Sequence, residues 1–293
     1  MNQGEGGRRR AKLIVNADDL GLAESVNRGI LETMESGVVT SASLMVNMNA
    51  HDDAIRRLGA ARARLGLDVS VGLHFNIVAG VPLSATPHRT LVNRRTGRFL
   101  PLPTLAMRAF TRRLDLAEVE RELAAQLKQA QSLLAPLHMR VTHIDSHRHA
   151  HCLPGVFDVV ISVAREHGIR HVRHPNESPR TLIGRPFALI AAQLVRLALT
   201  RAKALDDVGF AGFALMGSRT LDRDLEQLLA RLPDGTTELM MHPGYDSPEL
   251  AALDPYRAPR EREVRALTSP ALRNRLRSLG MELTHFGSTT AAV

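Results

Sequence analysis

The sequence predicts an α/β fold in which a parallel sheet is covered by helices, and two observations support this prediction. Short apolar, β-prone runs alternate with longer runs of helical spacing along most of the 293 residues. Hydrophobic residues make up 44% of the chain and charged residues 23%, which is the composition of a soluble protein with a sizeable core. Repeated alternation of strand and helix is typical of parallel sheets, because each parallel pair needs a crossover. The length fits one large α/β domain or two smaller ones.

The first predicted units lie near the amino terminus. Lys12–Ala17 is an apolar run that predicts a strand. Ala23–Ser36 has helical spacing and stops before Gly37, a residue type that commonly ends helices. Ser43–Met48 predicts the second strand and Ala50–Leu65 the second helix.

The middle of the chain continues this alternation. Asp68–Phe75 alternates apolar and polar residues, which predicts a third strand. Apolar residues recur at helical spacing through Asp115–Leu134, and Arg140–Ser146 is the fourth predicted strand. Pro154–His167 predicts a helix that Gly168 ends, and His171–His174 is a short strand after it.

The carboxyl-terminal part predicts two more helix–strand units. Leu221–Leu232 and Pro270–Leu279 have helical spacing, whereas Thr237–His242 and Glu282–Phe286 are strand-like. A helical pattern therefore precedes each of the last two strands, as the parallel arrangement requires.

Two segments interrupt the alternation. Ala79–Arg113 contains four prolines and little periodicity, so we expect a long loop or lid. Residues 176–220 form a second insertion, with a predicted helix at Ala188–Arg201. Long insertions in compact domains are usually functional, and we expect both to border the active site and set substrate choice. Residues 1–11 are predicted to be a flexible tail, and residues 12–293 a single domain.

Charge and composition exclude several classes of protein. The net charge is +8, and all but three of the 38 basic residues are arginines, which look scattered rather than gathered into one tract. Aromatic residues are 3% and tryptophan is absent, so we expect no nucleic-acid binding, although an anionic substrate or a membrane surface stays compatible with the charge. No apolar run approaches the roughly 20 residues of a membrane span. The single Cys152 excludes an internal disulfide and predicts the cytoplasm, and a homodimer remains open.

Polar side chains end several of the predicted strands. They include Asp18 and Asp19 after the first strand, Asn47 in the second, His74 in the third and His242 after a later one. The carboxyl ends of parallel strands meet at one edge of the sheet, where α/β enzymes carry their active sites. The sequence therefore predicts an active site there.

Each of these residues has a structural interpretation beside the functional one. Asp18 or Asp19 could cap a helix, but two adjacent carboxylates repel each other unless a cation lies between them, which favours a metal ligand plus a general base. His74 could be structural, although Gly72 beside it would allow close backbone approach. His242 could be a satisfied buried histidine or a general acid.

The stretch from Thr142 to His151 reads THIDSHRHAH and is the strongest metal signal. Imidazole suits zinc, nickel and related ions. If the chain stays extended, alternate residues share one face. That face would carry His143, Asp145, His147, His149 and His151. A catalytic zinc ion usually takes three protein ligands, so some of these side chains must support other ligands or face the substrate.

Several motifs together resemble those of the YdjC-like carbohydrate deacetylases, a family that includes chitooligosaccharide deacetylases and hopanoid-associated deacetylases. The matching segments, in family order, are Ile14–Gly21 (IVNADDLG), Thr40–Asn47 (TSASLMVN), Gly72–His74, Thr142–His151, Met241–Pro243 and Arg265–Ala271 (RALTSPA). They span nearly the whole chain.

The resemblance implies a distorted (β/α) TIM-like barrel and a carbohydrate N-deacetylase that releases acetate. It implies one divalent ion held by Asp19, His74 and His147, with Asp18 as the base and His242 as the acid. The ligand types suit Zn²⁺, whereas Mg²⁺ normally takes more oxygen ligands. The substrate implied is an N-acetylated saccharide or glycoconjugate. The scarcity of aromatic platforms argues for a small, nucleotide-linked or lipid-linked amino sugar at least as well as for a long oligosaccharide.

Two rival interpretations remain. One is another metal-dependent hydrolase on the same barrel, acting on a phosphoester or cyclic amide. The other is a non-enzymatic, arginine-rich nucleic-acid-binding protein, whose binding would weaken steeply with salt.

Overall fold

The computed structural model describes residues 11–177, 205 and 207–288. Its strands are β1 Ala11–Leu20, β2 Ser41–Leu44, β3 Ser70–Phe75, β4 Val141–Ser146, β5 His171–Val172, β6 Gly209–Ala211, β7 Gly235–Met241 and β8 Glu282–Leu283. Its helices are α1 Glu24–Glu35, α2 His51–Leu65, α3 Leu102–Phe110, α4 Leu116–Leu134, α5 Val156–Glu166, α6 Leu221–Arg231, α7 Pro248–Leu253, α8 Ala258–Thr268 and α9 Pro270–Ser278.

All strand pairs in the sheet are parallel, and β1 lies at its centre. The strand order is β5-β4-β3-β2-β1-β7-β6, with β8 beside the start of β1. The sheet curls into a half-barrel with helices outside it. This architecture confirms the α/β class and agrees with a distorted TIM-like barrel, within the described ranges.

The core lies inside the curl and between the sheet and the helices. Along α1, for example, Val26, Ile30 and Met34 recur at helical spacing and are at most 1% exposed. A fully buried side chain of this size contributes roughly 1.5–3 kcal/mol. Burial of one face of each helix thus holds the helices on the sheet and fixes the strand ends that carry the site.

The pinned insertion is the name we use for residues 77–114, which connect β3 to α4. Ala79–Arg113 within it was expected to be a long loop or lid, yet it contains α3, whose Leu105 and Ala109 are buried. Glu118 of α4 accepts hydrogen bonds from the backbone N–H groups of residues 89–91, and Glu122 accepts those of residues 83 and 84. The segment is therefore fastened to α4 by buried carboxylates.

Other sequence expectations need correction. β1 begins at Ala11 and runs to Leu20, and β2 lies at 41–44 rather than 43–48. Part of the expected insertion 176–220 is β6, which pairs with β7. The expected helix Ala188–Arg201 and most of the amino-terminal tail lie outside the described residues, and α7 and α8 were not predicted. Among residues 11–177 and 207–288, no helix is both long enough and apolar enough to cross a bilayer.

Candidate active site

The three predicted metal ligands meet at the carboxyl edge of the sheet. Asp19 Oδ1 lies 2.8 Å from His147 Nδ1 and 3.2 Å from His74 Nε2. One ligand atom from each residue can be chosen so that all three lie within 4.8 Å of one another. The three side chains are at most 5% exposed. One carboxylate and two imidazoles at these separations are a donor set that suits a divalent ion.

The backbone of β1 lets both aspartates reach this edge. In a regular strand, Asp18 and Asp19 would point to opposite faces. The pairing of β1 with β2 shifts register between Ala17 and Leu20, and Asp19 has a φ of 71°. A non-glycine residue in this left-handed region costs of order 1–3 kcal/mol and is often found at functional sites. This irregularity explains how two adjacent carboxylates serve one site.

His74 is oriented by a second carboxylate behind it. Its Nδ1 lies 2.7 Å from Asp145 Oδ1 and 3.0 Å from Ser43 Oγ, which leaves Nε2 facing Asp19. This carboxylate–histidine arrangement is typical of metal-binding histidines. Burial opposes the charged imidazolium, but the carboxylates of Asp145 and Asp19 outweigh burial and raise the pKa of His74 to about 10. A cation bound at Nε2 must therefore displace a proton.

Asp18 belongs to a buried cluster centred on Arg173, which follows β5. The Arg173 guanidinium donates to both carboxylate oxygens of Asp18 at 2.6 Å and to Glu238 Oε1 at 2.6 and 2.9 Å. It also lies 2.7 Å from Asp145 Oδ2. Burial disfavours the guanidinium charge, but the carboxylates overcome it and raise the pKa of Arg173. Burial raises the pKa of Glu238 to about 7, although Arg173 opposes this rise.

A second buried arginine, Arg260 of α8, holds Asp19 from the opposite side. Its guanidinium donates to Asp19 Oδ2 at 2.6 Å and to Asp254 Oδ2 at 2.8 Å. Burial would raise the pKa of Asp19, but Arg260 and His147 outweigh burial and hold it well below its ordinary value. Asp19 is therefore a carboxylate whose second oxygen is already engaged, so Oδ1 is the atom available to an ion.

His242 faces Asp18 across the site. Its Nε2 lies 3.9 Å from Asp18 Oδ2, and its side chain is 13% exposed, more than that of any ligand candidate. Its backbone N–H donates to Glu263, whose other carboxylate oxygen accepts the Tyr256 hydroxyl hydrogen bond at 2.6 Å. The His242 ring lies 5.4 Å from the Tyr256 ring. The histidine is thus held in place and stays open to the cavity.

A cavity of about 190 Å³ opens over these groups. Asp18, Asp19, His74, His147 and His242 all line it, so the structure brings the five predicted site residues together. Met216, Pro255 and Tyr256 contribute to its rim.

The remaining members of the histidine stretch lie apart, and the expectation of one shared face is wrong. β4 ends at Ser146, and residues 147–152 form a tight turn in which Arg148 and His149 have left-handed φ. His151 lies 2.5 Å from Ser146 Oγ and 2.9 Å from the Arg173 carbonyl oxygen. His143 stacks on Phe286 at 4.1 Å, below the site, and a Cβ at Gly72 would lie 2.5 Å from the His143 ring.

Asn47 donates to the carbonyls of residues 79 and 81 and holds the pinned insertion instead of lining the cavity.

The sequence argument missed both arginines. Arg173 has a signal like that of the other site residues, because it lies near the carboxyl end of the predicted strand His171–His174. Arg260 has no such signal, since its helix was not predicted and the chain holds many other arginines.

The pinned insertion reaches a neighbouring cavity of about 260 Å³. Val81 and Arg98 line it, together with Leu253, which directly precedes Asp254 of the site. The expected border role of Ala79–Arg113 stays a prediction that this proximity supports.

Comparison with known proteins links most of the chain to one family. The family model described as YdjC-like protein matches residues 12–278. A carbohydrate deacetylase of Geobacillus stearothermophilus is 39% identical over 92% of this chain and 94% of its own length. A chitooligosaccharide deacetylase of Yersinia enterocolitica is 30% identical over 92% of this chain and 96% of its own, and a human carbohydrate deacetylase is 32% identical over 94% and 90%.

Among solved structures, one similar chain comes from Enterococcus faecalis V583 and is named for cellobiose-phosphate cleavage. It superposes with a TM-score of 0.73 over 96% of this chain and 99% of its own, at 22% identity. At this identity the likeness shows the fold.

Proposed function

The chain belongs to the YdjC-like family, as its motifs predicted, and from this premise we propose that it is a divalent-metal-dependent hydrolase that removes the acetyl group from an N-acetylated sugar. One observation carries the proposal. Asp19, His74 and His147 form a buried donor set, and Asp18 and His242 face each other beside it in the same cavity. Metal-dependent amide hydrolysis uses a bound ion beside a general base and a general acid, and this site offers a donor set beside such a pair.

The three ligand candidates would hold the ion. Asp19 supplies an oxygen that stays ionised, and His74 supplies a nitrogen whose ring is oriented by Asp145. His147 Nε2 is buried and has no hydrogen-bond partner among the described residues, while Nδ1 contacts Asp19. A divalent ion bound there would polarise the acetamide carbonyl and make a water molecule more acidic.

The acid–base work falls to Asp18 and His242. Asp18 is the proposed base, which takes a proton from water as the water oxygen bonds to the carbonyl carbon. Arg173 fixes both Asp18 oxygens and keeps the carboxylate turned into the cavity. His242 Nε2 is the proposed acid, which donates a proton to the sugar nitrogen as the C–N bond breaks. The products are acetate and a free amino sugar.

The size of the cavity limits what enters it. A volume of about 190 Å³ lies below the roughly 300–1,000 Å³ of common ligand pockets. We therefore expect the N-acetylated sugar unit alone to enter, with any further sugars or an aglycone outside. Tyr256 is the only aromatic side chain lining this cavity within the described residues, which agrees with a short saccharide contact surface.

The test combines metal analysis of the purified protein with a product screen. We expect about one divalent ion per chain, and acetate release from an N-acetylated mono- or disaccharide. Apoprotein prepared with a chelator should regain activity on adding Zn²⁺ or another divalent ion. Release of phosphate from phosphoesters without acetate release would instead support the rival barrel hydrolase.

A further inference from the structure

The positive charge of the chain is concentrated in one segment. Residues 77–114 contain seven arginines and no Asp, Glu or Lys, so they account for +7 of the net +8. The arginines were expected to be scattered along the chain, but residues 77–114 lack acidic residues, so the net charge is concentrated in this segment. Six of the seven are exposed: Arg89, Arg94, Arg95, Arg98, Arg112 and Arg113. In the described part of the chain, no carboxylate lies within ion-pair distance of these six.

The same segment carries unusual exposed apolar side chains. Met107 and Phe110 of α3 are each 60% exposed, whereas Leu105 and Ala109 on the other side of the helix are buried. Of the seven large hydrophobic residues exposed in the described ranges, five lie between residues 81 and 116. A solvent-facing helix surface normally carries polar residues, so this outward apolar face is unusual, and no described residue covers it.

The position of the segment matters as well. It follows β3, so it leaves the sheet at the carboxyl edge, where the candidate active site lies. It is also held in place, because Glu118 and Glu122 fasten its backbone to α4. The arginines and the apolar pair therefore belong to one fastened segment that leaves the sheet at the edge of the site, and Arg112 and Arg113 directly follow Phe110 and Thr111 in the chain.

We infer that residues 77–114 dock the protein on an anionic bilayer surface, with Met107 and Phe110 inserted at the lipid interface and the arginines against anionic headgroups. Exposed apolar side chains flanked by arginines are the combination that interfacial binding uses. Charge complementarity favours a bilayer over a second copy of this chain, since two such surfaces would repel each other. The inference does not depend on the proposed reaction, because docking is measured without turnover.

Vesicle sedimentation of the full chain tests the inference. We expect binding to phosphatidylcholine vesicles that contain phosphatidylglycerol, weak binding to pure phosphatidylcholine, and loss of binding in 1 M salt, where charges are screened within about 3 Å. Arg94→Gln/Arg95→Gln should weaken binding by about 25-fold, at about fivefold per arginine. Met107→Ser/Phe110→Ser should weaken it by at least about tenfold.

Matched controls come from the opposite edge of the sheet. Leu65→Ser removes a side chain that is 46% exposed at the end of α2. Arg165→Gln/Arg170→Gln removes two exposed arginines, one in the last turn of α5 and one between α5 and β5. Both control variants should bind vesicles like the unaltered chain, and all four variants should keep the unaltered melting temperature because the replaced side chains are exposed.

Several results would overturn the inference. They are equal binding to neutral and anionic vesicles, absence of vesicle binding, and equal loss in the control variants. Tight binding of single-stranded RNA that the arginine variant abolishes, without vesicle binding, would assign the surface to nucleic acid. Concentration-dependent dimerisation that Met107→Ser/Phe110→Ser abolishes, again without vesicle binding, would assign it to a second copy of the chain.

Discussion

Replacing Asp18 by Asn should separate a catalytic role of this residue from a structural one. The substitution keeps the shape of the side chain but removes its negative charge. General-base catalysis contributes typically 10²–10⁴-fold, so we expect kcat to fall by about that factor while the protein keeps its metal. Among the described residues, no ion pair within 4.0 Å joins the Asp18 carboxylate to His74 or His147, so we expect the donor set to stay in place.

The cost in stability follows from the contacts of Asp18. It accepts two charge-assisted hydrogen bonds from Arg173 at 2.6 Å, each worth about 1.5–3 kcal/mol. Asn keeps one acceptor oxygen, and Arg173 keeps Asp145 and Glu238 as partners. We therefore expect a loss of about 2–4 kcal/mol in the free energy of unfolding. Domains are typically stable by about 5–15 kcal/mol, so the variant should stay folded at 25 °C.

Glu238→Gln is the matched control. Glu238 contacts the same guanidinium but does not line the cavity. Because its pKa is about 7, it is partly neutral near pH 7, and Gln should cost less stability than Asn does at position 18. The assay measures acetate release, bound metal and urea unfolding for both variants. Near-normal turnover of metal-loaded Asp18→Asn would remove Asp18 from the mechanism, and an equal kcat loss in Glu238→Gln would show that the loss comes from a disturbed Arg173.

Three further predictions concern the ligands and the pinned insertion. His74→Ala and His147→Ala should each release most of the metal. His151→Ala should retain it, because one ring nitrogen of His151 contacts Ser146 and the other contacts the Arg173 carbonyl. Equal metal loss in all three variants would contradict the ligand set. Asp19→Asn should lose metal affinity and activity together, measured by metal titration, and full metal retention would exclude Asp19 as a ligand. Burial opposes the ionised form of Glu118, but hydrogen bonds from the insertion outweigh burial and lower the pKa of this carboxyl. The ionised Glu118 therefore contributes fully to the stability of the fold above about pH 4.5, and this contribution is lost as the pH falls through the lowered pKa. Glu118→Gln should therefore speed amide hydrogen exchange at residues 89–91 at pH 7, and unchanged exchange would show that the carboxylate does not hold the insertion.

Much of the site could be predicted from the sequence because one rule governs it. Residues at the carboxyl ends of parallel strands converge, and this rule pointed to Asp18, Asp19, His74 and His242, whereas the family resemblance singled out His147 from the histidine stretch. The rule does not say how the chain turns after a strand. The histidine stretch therefore looked like one face, whereas left-handed residues at 148 and 149 send its members apart.

The parts that could not be predicted depend on distant contacts. Arg260 reaches Asp19 across 241 positions in the chain, and no local pattern marks it. The prolines around α3 obscured its helical pattern in the sequence. The position of α3 on the surface depends on Glu118 and Glu122, which in the sequence resemble ordinary polar residues of an amphipathic helix. The concentration of charge was overlooked because arginines were counted without noting where acids are missing.

The central position of β1 has a consequence for synthesis of the chain. β1 emerges from the ribosome well before its neighbour β7, which follows more than 200 residues later. At roughly 5–20 residues per second, the long edge of β1 that β7 will cover stays open for about 10–40 s. An uncovered apolar strand edge invites pairing with other nascent chains. Yield of soluble protein should therefore depend on translation speed and on chaperones that shield this strand until β7 arrives.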